Sequence, residues 1–458
     1  MPPAKPSDSS VPAESVFVGD VAPAPLPPPP GAIAEGLATV EPADPVLEKV
    51  PARYIWFQVL AQFGVFVAFI TPLGISLSIR LAGMAPGHEE YLGYITGTGS
   101  LVALLLGPVF PILSDRTRTR LGRRRPWMIG GMIVGVISLV VMGSATSVVI
   151  LGLGWVLAQL GWGQVLSNLQ ISMADRLPEE QRGKVAGLSG FATQVAPVVG
   201  VILASQFTGD PLLLFLVPGV VGVIFTTLFI VLIKEADSRG LEFADKMTFA
   251  SAFARYVFNP RAHRDFSLVW AGRFLFYFGL TLNTTFTAFF FASRLGVGVD
   301  QVASVLVTLS LMGIAATTVG ALGGGFLSDR LKRRRSFVLA ASIVFASGIF
   351  VQAFATELPV LFAGSVIASA GIGAFSAVDQ ALLLDVLPNR GQEAGRFMGI
   401  AGLATGIPQA VAPFIAPFIL AIGFGVSAGE KNYTLLYVIA GVVTVLGGLV
   451  VLRVRSAH

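Results

Sequence analysis

From Tyr54 onward the chain alternates long hydrophobic runs with short polar breaks, and the runs recur in blocks of about twenty residues. A bilayer core of about 30 Å needs roughly that many helical residues per crossing. The pattern predicts twelve spans, near 54–80, 91–113, 126–146, 148–173, 184–206, 211–233, 266–292, 301–326, 336–355, 358–386, 395–421 and 433–452. The expected fold class is therefore an all-α integral membrane protein. Residues 1–50 break the pattern: they hold 12 of the 28 prolines, including Pro27 to Pro30, without helical periodicity. They read as a disordered tail. No basic stretch, short apolar core and small-residue cleavage site occur there, so the first span is expected to start insertion itself.

Composition excludes several functions. Of 458 residues, 54% are hydrophobic and 12% charged, against roughly 25% charged in soluble domains, which rules out a soluble enzyme with one anchor. There is no Cys, and the only His are His88, His263 and His458. Disulfides, iron-sulfur clusters, thiolate zinc sites and cysteine nucleophiles are thereby excluded, and neither a metal site nor a cofactor is expected. A net charge of +5 and a pI near 9.6 would suggest nucleic acid in a soluble protein. Here the basic residues sort by side instead. Of 31 Lys and Arg, 27 fall in the tail and alternate loops; Arg80, Arg294 and Lys431 fall opposite, and Arg273 lies inside a span. Because Lys and Arg accumulate in cytoplasmic loops, both termini are expected in the cytoplasm of a multi-pass plasma-membrane protein.

The connection 234–265 divides the spans six and six, into bundles 51–233 and 266–458 that read as copies. Ser114-Asp115-Arg116 recurs 214 residues later as Ser328-Asp329-Arg330, and Arg80-Leu81 recurs at that shift as Arg294-Leu295. Gln170, Asp175 and Pro178 return as Gln380, Asp385 and Pro388. Gly183, Gly187 and Gly190 match Gly395, Gly399 and Gly402, and these two ladders are expected to let neighbouring backbones approach. An even number of spans per repeat makes the repeats parallel, with binding expected between the halves near the midplane. The stretch from Leu241 to Phe258 is expected to form an interfacial strap.

The loop after the second span reads Ser114-Asp115-Arg116-Thr-Arg-Thr-Arg-Leu-Gly122-Arg123-Arg124-Arg125-Pro126-Trp127. Asp115 can neutralise an arginine or face a helix N-terminus and so hold the halves in one state. Alternatively, the six arginines fix topology alone. Gly325-x-Leu327-Ser328-Asp329-Arg330 resembles the loop signature of the major facilitator superfamily. The first copy resembles a variant, with Pro111 in place of a glycine and Thr-Arg-Thr-Arg inserted. That inserted form, and the run from Ala174 through Asp175 and Pro178 to Lys184, resemble the sucrose-transporter and glycoside-pentoside-hexuronide:cation symporter branch. The resemblance spans 54–458 and implies alternating-access transport, with Asp115, Arg116, Gly122, Arg123, Asp175, Asp329, Arg330 and Asp385 as gating-loop residues. Melibiose-type symporters of that branch use second-span carboxylates for sodium; residues 91–113 hold no Asp, so that coupling is not expected.

Every acidic residue falls in the tail, a loop or a helix end except Asp379. Counted from the basic ends of their spans, Asp379 and Arg273 both lie roughly 10–12 Å deep at 1.5 Å per residue, so they can meet. Intramembrane charges are costly and usually functional, and the resemblance places the seventh and tenth helices along the central cavity. Asp379 is the expected proton carrier, with Arg273 tuning it; a permanent bridge or a snorkelling Arg273 are the alternatives. Substrate candidates are uncharged. Gln58 and Gln62 lie one turn apart on the first span. Trp155, Gln159, Trp162 and Gln170 share one face of the fourth, with Gln164 and Asn168 opposite. Asn283, with Thr281, Thr284 and Thr285, Gln380 and Gln409 complete the set. Amides beside aromatic faces suit a neutral polyhydroxylated small molecule, although amides also join helices. No ATPase-type phosphate loop occurs, so a gradient must supply energy. The expectation is a monomer in a lipid bilayer, without nucleic-acid partners, carrying out proton-coupled sugar or glycoside symport. Proton-driven efflux of a drug or metabolite, and a ligand sensor without flux, are the alternatives.

Overall fold

A computed structural model describes residues 49–240, 258–388, 393–423 and 431–455; nearly all of the expected tail and of the expected strap lie outside them. The hydrophobic blocks are helical because a chain in hydrocarbon must pair its backbone polar groups within the segment. Among the described residues, ten helices are long and apolar enough to cross a membrane, and two bent pairs bring the spans to twelve. In order they are Ala52–Met84, Glu90–Leu106 with Val109–Asp115, Arg125–Gly143, Val148–Arg176, Glu179–Ser205 and Pro211–Leu232. The second six are Arg264–Thr285 with Thr287–Leu295, Ala303–Leu331, Arg334–Phe354, Leu358–Asp385, Ala394–Leu420 and Tyr433–Val451.

Three spans carry breaks that hydrophobicity alone did not announce. The first passes through a π turn at Pro72–Ser76, where proline offers no N–H and the Thr71 hydroxyl takes the Val67 carbonyl at 2.6 Å. The second bends by 41° at Gly107 and Pro108. The seventh bends by 50° at Phe286, amid threonines whose hydroxyls compete for the helix carbonyls: Thr284 bonds Leu280, Thr285 bonds Thr281, and Thr287 bonds Asn283. Phe286 lies 214 residues after Pro72, so the breaks occupy equivalent places in the two repeats.

Packing repeats as the sequence does. The first span packs on the sixth as the seventh does on the twelfth, and the third on the fourth as the ninth does on the tenth. Between the halves, the second span meets the eleventh and the fifth meets the eighth, again counterpart pairs. Close backbone approach does not use the expected ladders. A Cβ on Gly183, Gly187, Gly190, Gly395 or Gly402 would meet nothing within 4 Å, because those faces border open space in this state. The tight crossings are elsewhere: a Cβ on Gly161 would lie 2.4 Å from the Gly135 nitrogen, and one on Gly371 2.4 Å from the Phe345 nitrogen.

Candidate functional site

Arg273 projects from the seventh span and Asp379 from the tenth, each more than one turn inside its basic end. Their side chains are 14% and 3% exposed, and Arg273 Nη1 lies 3.3 Å from Asp379 Oδ2. The contact is a single, long one. Arg273 Nε and Nη1 have no hydrogen-bond partner, and the guanidinium lies 5.8 Å from the centroid of the Tyr277 ring. A settled buried arginine–carboxylate bridge makes two parallel short bonds; this pair does not.

The polar candidates separate into two kinds. Gln159 and Gln164, placed on opposite helix faces by angular spacing, line one pocket of about 140 Å³ with Phe69, Ala103, Phe110 and Ser167. Their long side chains wrap toward the second span, which the wheel does not capture. Gln164 is buried with neither amide atom bonded. Trp155 stacks on Phe69 with ring centroids 5.8 Å apart. The volume is below the ~300–1,000 Å³ of complete ligand pockets, so it is a subsite at most. Asn283 is buried with Nδ2 unbonded, as is the Gln62 carbonyl oxygen. Others are committed to packing. Asn168 accepts from Ser114 Oγ at 2.8 Å and donates to the Gln164 carbonyl at 3.0 Å. Gln58 donates to the Leu169 carbonyl at 2.8 Å. Trp162 fills the core beside Gly135 and Gly222. Gln170, Gln380 and Gln409 are exposed.

At the basic face each half closes its own charge cluster. Asp115 meets Arg124 at 2.5 Å and Arg123 at 3.9 Å, while Asp175 meets Arg123 at 3.0 Å and Arg124 at 3.3 Å. In the second half Arg334 bridges Asp329 at 2.9 Å and Asp385 at 2.6 Å. Asp115 thus neutralises arginines, one of the roles open to it, and among the described residues its salt bridges stay within its own half in this state. The arginine that opens the third or ninth span lies one loop after the first aspartate, and its helix packs against the fourth or tenth span, whose basic end carries the second, so the shortest pairing stays within a half. Arg116 and Arg330 are exposed. Gly122 has φ +88°, and a Cβ there would meet Glu235 at 2.4 Å. Glu235 accepts from the backbone N–H groups of Arg124 and Arg125, at 3.0 and 3.2 Å, where a carboxylate favours the helix N-terminus. The spacing of the motif marked Arg123 and gave no sign of Arg124, Arg334 or Glu235.

The model of the Major Facilitator Superfamily matches residues 54–324 and 269–458. The chain belongs to that superfamily. This facilitator is a transporter and not an enzyme. It is 32% identical over 117 residues to a general alpha-glucoside permease of Schizosaccharomyces pombe, covering 24% of this chain and 20% of the permease. It is 31% identical over 162 residues to plastidic glucose transporter 4 of Arabidopsis thaliana, covering 31% and 29%. The matched stretches thus span less than a third of either relative. Among solved structures, a nucleoside transporter superposes with a TM-score of 0.70 at 11% identity, covering 88% of this chain and 99% of that one. A D-xylose-proton symporter gives 0.66 at 15%, covering 89% and 99%. At such identities these two establish the fold.

The facilitator's halves are also tied at the end opposite the basic loops. Lys431 Nζ lies 2.6 Å from Glu90 Oε2, and His88 Nδ1 lies 2.9 Å from Glu90 Oε1. Below them a Cβ on Gly93 would strike the Pro413 carbonyl and one on Gly97 the Phe414 ring. None of these residues stood out in the sequence, because an ion pair between residues 341 apart leaves no local pattern.

Proposed function

We propose that this facilitator is a proton-coupled symporter of a sugar or glycoside, working by alternating access as a monomer in the plasma membrane with both termini in the cytoplasm. The observation that carries the proton assignment is the single 3.3 Å contact of Arg273 with Asp379, beside guanidinium nitrogens that have no hydrogen-bond partner. A buried carboxyl so loosely held can take up a proton and release its arginine, whereas a bidentate bridge would resist both. The two curated relatives, a glucoside permease and a glucose transporter, support the substrate class, as does the amide and aromatic subsite at Gln159, Gln164, Phe69 and Phe110. The subsite holds no charged side chain, which suits a neutral polyol.

On this reading the structure has its cavity open toward the basic face, since the glycine faces of the fifth and eleventh spans border empty space while Glu90 and Lys431 close the other end. The charge clusters at Asp115 and Asp329 act as gating loops that re-pair when the basic face closes. The test is uptake into proteoliposomes under an imposed proton gradient, across a panel of hexoses, disaccharides and hexuronides. Uphill accumulation of at least one sugar, abolished by Asp379→Asn while counterflow persists, is the expected result. Full accumulation by that variant would overturn the proton assignment, and transport of none of the panel would overturn the substrate class.

A further inference from the structure

The basic face of the first half carries a second, separate pocket. It has a volume of about 430 Å³ and is lined by Val50, Pro51, Arg53, Tyr54, Arg176, Leu232, Ile233 and Lys234, where the first, fourth and sixth spans end together. Three cationic side chains therefore surround a mostly hydrocarbon floor. Two nearby carboxylates are already engaged: Asp175 with Arg123 and Arg124, and Glu235 with the N-terminus of the third span. Among the described residues no salt bridge joins Arg53, Arg176 or Lys234 to an acid. Arg176 is held across the pocket by the Lys234 carbonyl at 3.3 Å and by the Tyr54 ring, 5.6 Å from its centroid. The wall at Val50 is fixed as well, because Gln181 bonds both its N–H (2.9 Å) and its carbonyl (3.2 Å).

We propose that this pocket seats the headgroup phosphate of an anionic phospholipid. Unpaired cations grouped at one span boundary call for an anion, and the apolar floor calls for a ligand that is also part hydrocarbon. The depth agrees: Trp56, one turn from Arg53, is 58% exposed, and exposed tryptophan on a span marks the membrane–water boundary. Leu232 is exposed beside the pocket and offers a course for an acyl chain. A free phosphate would gain nothing from those carbons.

The experiment is native mass spectrometry of the delipidated full-length chain titrated with phosphatidylglycerol, phosphatidylcholine or inorganic phosphate. Phosphatidylglycerol should bind in preference to phosphatidylcholine, and inorganic phosphate should neither bind nor displace it. Arg53→Gln with Lys234→Gln should weaken phosphatidylglycerol binding by about fivefold per charge removed, while Lys332→Gln with Arg333→Gln, an equal loss of charge elsewhere on the same face, should not. Equal loss in both double variants would mean a diffuse surface field and would overturn the site. Competition by inorganic phosphate would overturn the lipid assignment. If the double variant does not fold, Arg53→Gln alone, at an exposed position, carries the same comparison.

Discussion

At the residue scale, the same side-chain types serve opposite ends, and their bonding tells them apart. Gln164 and Asn168 are one turn apart and both buried, yet Gln164 has free amide atoms and Asn168 is bonded through both. Gln164→Ala should raise the KM for sugar and leave thermal stability unchanged. Asn168→Ala removes the 2.8 Å acceptor of the buried Ser114 hydroxyl, which keeps Arg124 Nη1 at 3.2 Å and the Arg123 carbonyl at 3.3 Å, and should cost about 0.5–1.5 kcal/mol of stability; thermal unfolding in detergent and uptake kinetics separate the two. Asp379 gives a sign for pH. If Asp379 carries the proton as proposed, loading needs a neutral carboxyl, so uptake should fall as the external pH rises, whereas exchange by Asp379→Asn, neutral at every pH, should be flat. A pH-dependent exchange rate in that variant would assign the proton elsewhere. Arg273 and Asp379 were legible in the sequence because a charge in a hydrophobic run stands out by its rarity; the division of labour among the amides was not, since it depends on what each side chain meets.

At the element scale, span positions followed from hydrophobic run length, which the bilayer imposes on each helix separately. Breaks and crossings depend on neighbours, and there the sequence misled. Glycine spacing in the fifth and eleventh spans suggested packing faces, but the glycines that bring backbones together are Gly161 against Gly135 and Gly371 against Phe345. Spacing along one helix cannot say which partner faces it. Gly161→Ala places a methyl group 2.4 Å from a backbone nitrogen and should destabilise the first half by about 1–3 kcal/mol, the usual range for overpacking. Gly183→Ala, in open space, should leave the unfolding temperature alone. An unchanged temperature for Gly161→Ala would mean that the third and fourth spans slide apart freely. The repeated outer arginines have an element-level role of the same kind: Arg80 donates to the Ala145 carbonyl and Arg294 to the Ala353 carbonyl, each closing the end of a helix within its own half.

At the scale of the whole molecule, the repeat in the sequence foretold the counterpart pairing of helices, because a duplicated chain buries equivalent faces in equivalent ways. It did not foretell which end of the molecule would be shut, since a symmetric sequence is compatible with either. On the proposed reading the end opposite the basic loops is the shut one, and Glu90–Lys431 joins the two halves there. Both side chains are partly exposed, so the pair contributes no more than about 1 kcal/mol. A free energy of that size still shifts a two-state population by up to about fivefold. The chain has no native cysteine, and a Cβ on Gly402 would meet nothing within 4 Å, so Gly402→Cys, on the face of the eleventh span that the proposed reading turns toward the cavity, reports the opening by its maleimide labelling rate. Glu90→Gln or Lys431→Gln should lower that rate by about two- to fivefold as the population moves toward closure at the basic face. The charge swap Glu90→Lys with Lys431→Glu should restore it. If the single variants label at the parent rate, the closed end is held by the Gly93 and Gly97 contacts with Pro413 and Phe414 and the ion pair is incidental to the cycle. If the swap fails to restore the rate, the surrounding charges, with His88 first among them, select one orientation of the pair.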